Sequence, residues 1–148
     1  MDIQNFKHKI SIKVRFNEVD MLGVCNNAVY INYFEIARIE YIKTAGLMPK
    51  DGIFSDGRLF FVVRNEINYL KPAFFDDALN IYTRMSYIKN SSFEYEHIVI
   101  KESNRNVLVE GKGILVHVDP ATKLSVDLPP EFYEKILAFD PGVKIIRK

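Results

Sequence analysis

The sequence predicts an α+β fold, a curved antiparallel sheet of about five strands wrapped around one long central helix. Three observations predict it. The segment from Asn26 to Gly46 has helical length and is apolar nearly all round, so it must be covered on most sides. Four strand-like runs follow it, joined by connections short enough to demand antiparallel pairing. One more strand-like run precedes it. A chain of 148 residues suits a single domain, 1–148, with a core of its own.

Lys7 to Glu18 reads as the first strand on its β-branched and aromatic residues. Asp20 to Asn26 is a tight loop in which Gly23 is free to take a positive φ. Asn26 and Asn27 are both suitable helix N-caps, and Gly46 with Pro49 beyond it marks the helix end. Tyr30, Phe34, Ala37, Tyr41 and Ala45 follow one helical face, while Ile31, Tyr33, Ile36, Ile39 and Ile42 fill much of the rest. Glu35 and Arg38 stand three apart, a spacing at which they pair.

Lys50 to Arg58 is a loop with Asp-Gly steps at 51–52 and 56–57. Leu59 to Leu70 is a long strand, with Phe61, Val63, Ile67 and Tyr69 on one face interrupted by Asn65. Lys71 to Asp77 turns through Pro72. Ala78 to Lys89 is a strand carrying Leu79, Ile81, Thr83, Met85 and Tyr87 on one side. Asn90 and Ser91 make a hairpin turn, Ser92 to Glu102 returns, and Ser103 to Asn106 turns again. Val107 to Asp119 is the last long strand, where Gly111 and Gly113 mark a bend or bulge. Pro130 to Ala138 is a short helix, and the tail after it is expected to be loosely held.

A net charge of +1 gives no concentrated basic face for nucleic acid. One cysteine excludes an internal disulfide, and neither a signal-peptide pattern nor a membrane span is evident, so a cytoplasmic protein is expected. The sheet has edges, and pairing with a second copy covers one, so a homodimer or higher assembly is expected.

Asp20 stands seven positions before Asn27, near the start of the helix. Unpaired N–H groups and partial positive charge at a helix N-terminus suit a carbonyl oxygen that becomes negative. A carboxylate beside them either attacks the carbonyl or activates water. The spacing is equally that of an Asp that merely caps the loop or helix. Glu18, two residues before Asp20, shares its face if the strand continues, or is a solvated or Arg15-paired carboxylate. Cys25 reads as a small packed side chain, because a thiolate nucleophile needs a nearby base and His8, His97 and His117 are all distant in sequence. Those histidines lack metal-ligand spacing, so no metal and no cofactor is expected.

The motif Arg15-Phe16-x-Glu18-x-Asp20-x-x-Gly23, continued by Asn26-Asn27-x-x-Tyr30-x-x-Tyr33-Phe34-Glu35-x-Ala37-Arg38, resembles the hot-dog-fold acyl-CoA thioesterases of the 4-hydroxybenzoyl-CoA thioesterase group. Phe61-Val62-Val63-Arg64 to Tyr69-x-x-Pro72-Ala73, Asp76-Asp77 and Val118-Asp119-Pro120 agree, so the resemblance covers roughly residues 8 to 138. It implies a hot-dog fold and hydrolysis of an acyl-CoA thioester to a carboxylate and free CoA by a homodimer or homotetramer. It implies Asp20 as nucleophile or general base and the Asn27 backbone N–H as the donor that polarises the carbonyl. It places Gly23, Val24 and Tyr30 against the substrate, with hydroxyls of Ser91 and Ser92 reaching the thioester from a partner subunit. Two departures stand out: Val24 and Asn27 occupy positions where various relatives carry histidine. Arg58, Arg64, Arg84 and Lys89 are candidates for the CoA phosphates, and Tyr30, Tyr33, Phe34, Phe60 and Phe61 either line an acyl slot or form core. An acyl carrier protein thioesterase and a non-catalytic acyl-CoA-binding module are the alternatives.

Overall fold

The computed structural model describes residues 1–52 and 55–147. The elements run β1 (His8–Lys13), α1 (Val29–Ala45), β2 (Leu59–Tyr69), β3 (Ala78–Ile88), β4 (Ser92–Lys101), β5 (Val107–Val118), α2 (Pro130–Phe139) and β6 (Lys144–Ile145). The strands form one sheet in the order β1-β3-β4-β5-β2, with β6 added parallel to the end of β3. All other pairings are antiparallel, as the short connections require. Residues 53 and 54 of the loop expected over Lys50–Arg58, and residue 148 of the tail, lie outside the described residues.

Helix α1 lies on the inner face of the sheet and buries Tyr30, Tyr33, Phe34, Ala37, Arg38, Tyr41 and Ala45. Gly46 ends it in the left-handed conformation at φ +81°, where its N–H reaches the Ile42 and Lys43 carbonyls. The wrapping is less complete than the sequence suggests, since Ile36 is exposed and Ile31, Ile39 and Ile42 are only half-buried.

Two glycines of β5 explain how close α1 comes. In the ladder Gly111 lies between Ile67 of β2 and His97 of β4, and Gly113 between Asn65 and Tyr95. A Cβ at Gly111 would sit 2.5 Å from Cε2 of Phe34, and one at Gly113 would overlap the Arg38 guanidinium. These glycines make room for the helix and do not mark a bulge in β5. The irregularities fall elsewhere: between Val62 and Arg64 in β2, between Met85 and Tyr87 in β3, and at Leu108 of β5, where Val99 pairs with Val109 and Ile100 with Val107. Each adds one residue and flips the alternation beyond it. Phe60, half-buried, and Val62, still 44% exposed, therefore lie on the α1 side of β2 rather than the expected Phe61 and Val63. On β3 the buried series continues from Met85 to Ile88, leaving Tyr87 only partly buried.

The first strand ends at Lys13, well short of the expected Glu18, because Phe16–Glu18 turns as one 3-10 step. The tail is not loose. The Tyr41 hydroxyl donates to buried Asp140 at 3.1 Å, Val143 is buried, and Ile146 donates to the Ile88 carbonyl at 2.8 Å. With α2 these residues seal one end of the core around Tyr41, Met85 and Phe93. The outer sheet face is partly covered by Phe6 and Ile3 over Ile98 and Ile100. Among the described residues no helix is long and apolar enough to cross a membrane.

A polar group sits inside this apolar interior. Arg38 does not pair with Glu35; its Nε donates to His97 Nε2 at 3.1 Å and one Nη to Asn65 Oδ1 at 3.4 Å. A guanidinium cannot accept, so His97 Nε2 carries the lone pair and Nδ1–H donates to Thr83 Oγ1 at 2.9 Å. The Phe34 ring stacks on His97 at 4.3 Å between centroids. Burial first, and the Arg38 charge second, hold His97 well below the usual histidine range.

Two outcomes follow from this packing. Gly111→Ala is expected to destabilise the protein by about 1–3 kcal/mol in denaturant unfolding, because the Phe34 ring it meets is pinned against His97. The unfolded chain protonates His97 near pH 6.5 and the folded chain does not. Stability is therefore expected to fall as pH drops below about 6.5, by up to about 1.4 kcal/mol per pH unit for this group. Unfolding curves of wild type and His97→Gln between pH 7.5 and 5 check it, since the substitution removes that share of the slope.

Candidate active site

The segment from Val14 to Val29 is built from interlocking turns. Buried Val14 clasps the 71–77 turn, donating to the Asp77 carbonyl at 3.1 Å and accepting from Asp76 N–H at 2.9 Å. The Glu18 carboxylate accepts from the Arg15 backbone N–H at 2.8 Å and from the Tyr33 hydroxyl at 2.9 Å. Glu18 thus fastens the turn to α1; it does not lie on a strand face with Asp20, and it does not hold the Arg15 side chain. Residues 19–25 then fold back as a small hairpin. Val19 bridges Cys25, Asp20 N–H donates to the Val24 carbonyl at 2.9 Å, and Gly23 turns at φ +77°. Val24 bridges Phe74, and Cys25 N–H donates to the carbonyl of fully buried Ala73 at 2.8 Å. The two conspicuous sequence stretches, 15–38 and 69–77, hold each other in place.

Asp20 is exposed at the tip of this hairpin. Its Oδ1 accepts from Leu22 N–H at 2.8 Å, and Oδ2 has no partner among the described residues. The helix does not begin at Asn26 or Asn27 but at Val29, with Ala28 in the cap position and no side-chain cap. Asn26 shapes the approach, its Oδ1 accepting from Ala28 N–H at 3.0 Å. Asn27 is exposed, its carbonyl accepts from the Tyr69 hydroxyl at 3.1 Å, and its backbone N–H has no partner among the described residues. The chain runs from Asp20 to Asn27 by way of the hairpin, with the Cys25 N–H fixed to Ala73 and the Asn26 N–H to the Glu18 carbonyl at 2.9 Å.

Tyr30 is core, 2% exposed, with its ring 5.8 Å from those of both Tyr33 and Tyr69. It supports the tyrosine that holds Asn27. Tyr33 and Phe34 are core as well, and Phe61 faces solvent. Cys25 is buried with Sγ 3.8 Å from the Tyr33 hydroxyl, and burial pushes its thiol up, away from thiolate formation. Ser91 and Ser92 lie in the β3–β4 hairpin, whereas the Asp20 hairpin packs at the start of β3. The 11 residues of β3 between them span roughly 35 Å at about 3.3 Å per residue, so the protomer does not bring the serines to Asp20.

The candidate phosphate contacts are mostly engaged. Arg58 pairs with Glu131 at 2.9 Å and Asp56 at 3.5 Å, and Arg84 pairs with Glu96 at 2.6 Å. Arg64 reaches Glu66 at 3.6 Å while largely exposed, and Lys89 lies over the Tyr87 ring. Among the described residues no group of three or more His, Cys, Asp or Glu side chains is arranged to hold a metal.

A cavity of about 350 Å³ opens between the C-terminal half of α1, residues 47–49, the start of β2 and α2. Ile39, Ile42, Phe60, Leu115 and Phe132 line it, and Arg38 forms part of its wall. Its size is that of a small-molecule site. An inward Arg38 was legible in principle, since it follows Phe34 by four residues and precedes Tyr41 by three on the buried stripe. The Tyr69 contact with Asn27 had no such signal.

Residues 14–136 match the model of the Thioesterase-like superfamily, more than half of the chain. The chain belongs to that superfamily. This thioesterase-like protein is 29% identical over 132 residues to the acyl-acyl carrier protein thioesterase ATL3 of Arabidopsis thaliana, a match covering 89% of the chain and 68% of the plant protein. A second plant relative, ATL2, is matched over only 59% of its length. The chain is 30% identical to the acyl-CoA thioesterase YbgC of Haemophilus influenzae over 69% of this chain and 72% of that one. A thioesterase from Thermus thermophilus, complexed with coenzyme A and zinc, superposes with a TM-score of 0.79 at 31% identity, covering 93% of this chain and 97% of that one. The sheet with its α1 helix is the hot-dog fold.

Proposed function

We propose that this protein is an acyl-CoA thioesterase that hydrolyses an acyl-CoA to a free carboxylate and CoA, with Asp20 and the Asn27 backbone N–H as its chemical centre. The observation that carries the reading is an exposed carboxylate at the hairpin tip, followed by a helix approach whose Asn27 N–H is unspent, in a chain of the Thioesterase-like superfamily. In one route Asp20 attacks the thioester carbon, the oxygen gains negative charge against the Asn27 N–H, the C–S bond breaks, and water hydrolyses the resulting anhydride. In the other, Asp20 takes a proton from water, hydroxide adds to the carbonyl, and the departing sulfur recovers the proton. A thiol ionises near pH 8.5, so thiolate leaves readily without a strong acid. That weak demand fits a site with Val24 and Asn27 where relatives place histidine.

The reading includes a homodimer, or a tetramer of such dimers. β2 is a long edge strand with exposed Phe61, Val62 and Val63, an edge that invites pairing with a second copy. Antiparallel pairing of two β2 strands would put the Ser91–Ser92 end of one protomer on the same side as the Asp20 hairpin of the other. The serines then serve the partner's site, which accounts for their distance from Asp20 within one chain. The acyl carrier protein reading is favoured by the likeness to the Arabidopsis enzyme over 89% of this chain.

Thiol release from a panel of acyl-CoAs, with acyl carrier protein thioesters of the same chains alongside, is expected to show turnover. Asp20→Asn is expected to lower kcat by about 10²-fold or more; a variant that keeps its rate would remove Asp20 from the mechanism. A higher kcat/KM on carrier-protein thioesters would shift the substrate to that class. In sedimentation the wild type is expected at twice the 17.2 kDa chain mass or a multiple of it, with Val63→Lys weakening the association. A wild type that sediments only as monomer at micromolar concentration would end the dimer reading.

A further inference from the structure

Arg38 is an unusual residue to find on the wall of the cavity between α1 and α2. It is 6% exposed, and no carboxylate lies within ion-pair distance of it among the described residues. Of its five N–H donors one goes to His97 and one to Asn65, and the Tyr95 ring faces the guanidinium carbon at 5.5 Å. Among the described residues the remaining donors and the positive charge have no anionic partner in contact. Glu35 acts on it through space only, and Asp56, the other acid on this wall, is held by Arg58. A buried cation without a counter-ion is costly, and the usual remedy is an anion. The rest of the wall is apolar: Ile39, Ile42, Leu115 and Phe132. Gly113 keeps the guanidinium where it is, since any side chain there would displace it.

We propose that this cavity binds an apolar chain that ends in a carboxylate, with Arg38 as the residue that holds the carboxylate. Arg and carboxylate form paired, charge-assisted hydrogen bonds, and the apolar wall selects a chain over a free anion such as acetate. Two sources supply such a ligand, and they share this chemistry. One is the free fatty carboxylate that a thioesterase releases. The other is an acyl thioester whose far end carries a second carboxylate. The proposal rests on the thioesterase reading only for these sources; the cavity and Arg38 stand without it.

Calorimetric titration of the full chain with decanoate, decan-1-ol and acetate tests it without any turnover. Decanoate is expected to bind at least about tenfold more tightly than decan-1-ol, and acetate to bind far more weakly than either. In Arg38→Met the preference for decanoate over the alcohol is expected to vanish while the alcohol still binds. Arg38→Lys, which keeps the charge, is expected to restore part of it. Because Arg38 is buried, a second variant guards against misfolding: Ile39→Phe, at a half-buried wall position, fills the cavity and is expected to weaken both chain ligands about tenfold or more. Equal affinity for decanoate and decan-1-ol in the wild type, or no binding of either, overturns the proposal. So does a preference for decanoate that survives in Arg38→Met. Asp20→Asn is expected to bind decanoate as the wild type does, so failure of the thioesterase reading and failure of this one give different results. Faster hydrolysis of the mono-CoA thioester of decanedioate than of decanoyl-CoA, lost in Arg38→Met, identifies the second source. Competitive inhibition of decanoyl-CoA hydrolysis by decanoate, also lost in Arg38→Met, identifies the first.

Discussion

The close approach of α1 to β5 is the constraint on which the rest of the structure depends. Phe34 and Arg38 are four residues apart on the helix, about 6 Å along its axis. Gly111 and Gly113 are two residues apart on the strand, about 6.7 Å. The two repeats nearly match, so the helix runs along the strand with each large side chain seated over a missing Cβ. Each seat has defined walls: Ile67 and His97 beside Phe34, Asn65 and Tyr95 beside Arg38. The register of β2 and β4 against β5 is therefore tied to the rotation of α1. That rotation sets where Tyr30 and Tyr33 fall, and Tyr33 in turn holds Glu18 and the turn leading to Asp20.

The candidate site inherits its order from this chain of contacts. Asp20 is exposed and lightly held, yet the backbone on both sides of it is fixed: Cys25 to Ala73, Asn26 to Glu18, Val14 to Asp77. Tyr69, on the strand beyond Ile67, reaches back to the Asn27 carbonyl. The segment thus carries an exposed carboxylate on a backbone fixed at both ends, and leads to an Asn27 N–H with no partner among the described residues. The charge buried at Arg38 lies further along the same helix.

Much of the fold was legible because its signals are local. Apolar residues around a helix ending in Gly46, four alternating runs with short turns, and Pro130 opening a second helix are read from neighbouring residues alone. The errors have equally specific causes. A bulge adds one residue without any mark in the composition, so Val63 and Ser86 shifted the faces of β2 and β3 unannounced. The glycines that looked like a bend in β5 are explained only by a helix some 75 residues earlier in the chain. The tail, as a terminus, was expected to be loosely held, and only Tyr41 and the end of β3 reveal what ties it down. At the candidate site the Asp20–Asn27 segment was legible from its spacing and its resemblance. The role of Glu18 was not, because its partner Tyr33 is a tertiary contact.

The order of the elements also bears on how the chain acquires its structure. β1 pairs with residues 78–83, some 70 positions later, and α1 is covered by strands that end only at Val118. The β3–β4–β5 meander, by contrast, is made of consecutive hairpins and is cheap to close. During synthesis the long helix α1 leaves the ribosome before β2–β5, the strands that cover it. The local hairpins of the meander are the contacts that can close first, whereas the seating of α1 on the two glycines and the pairing of β1 wait for residues far along the chain.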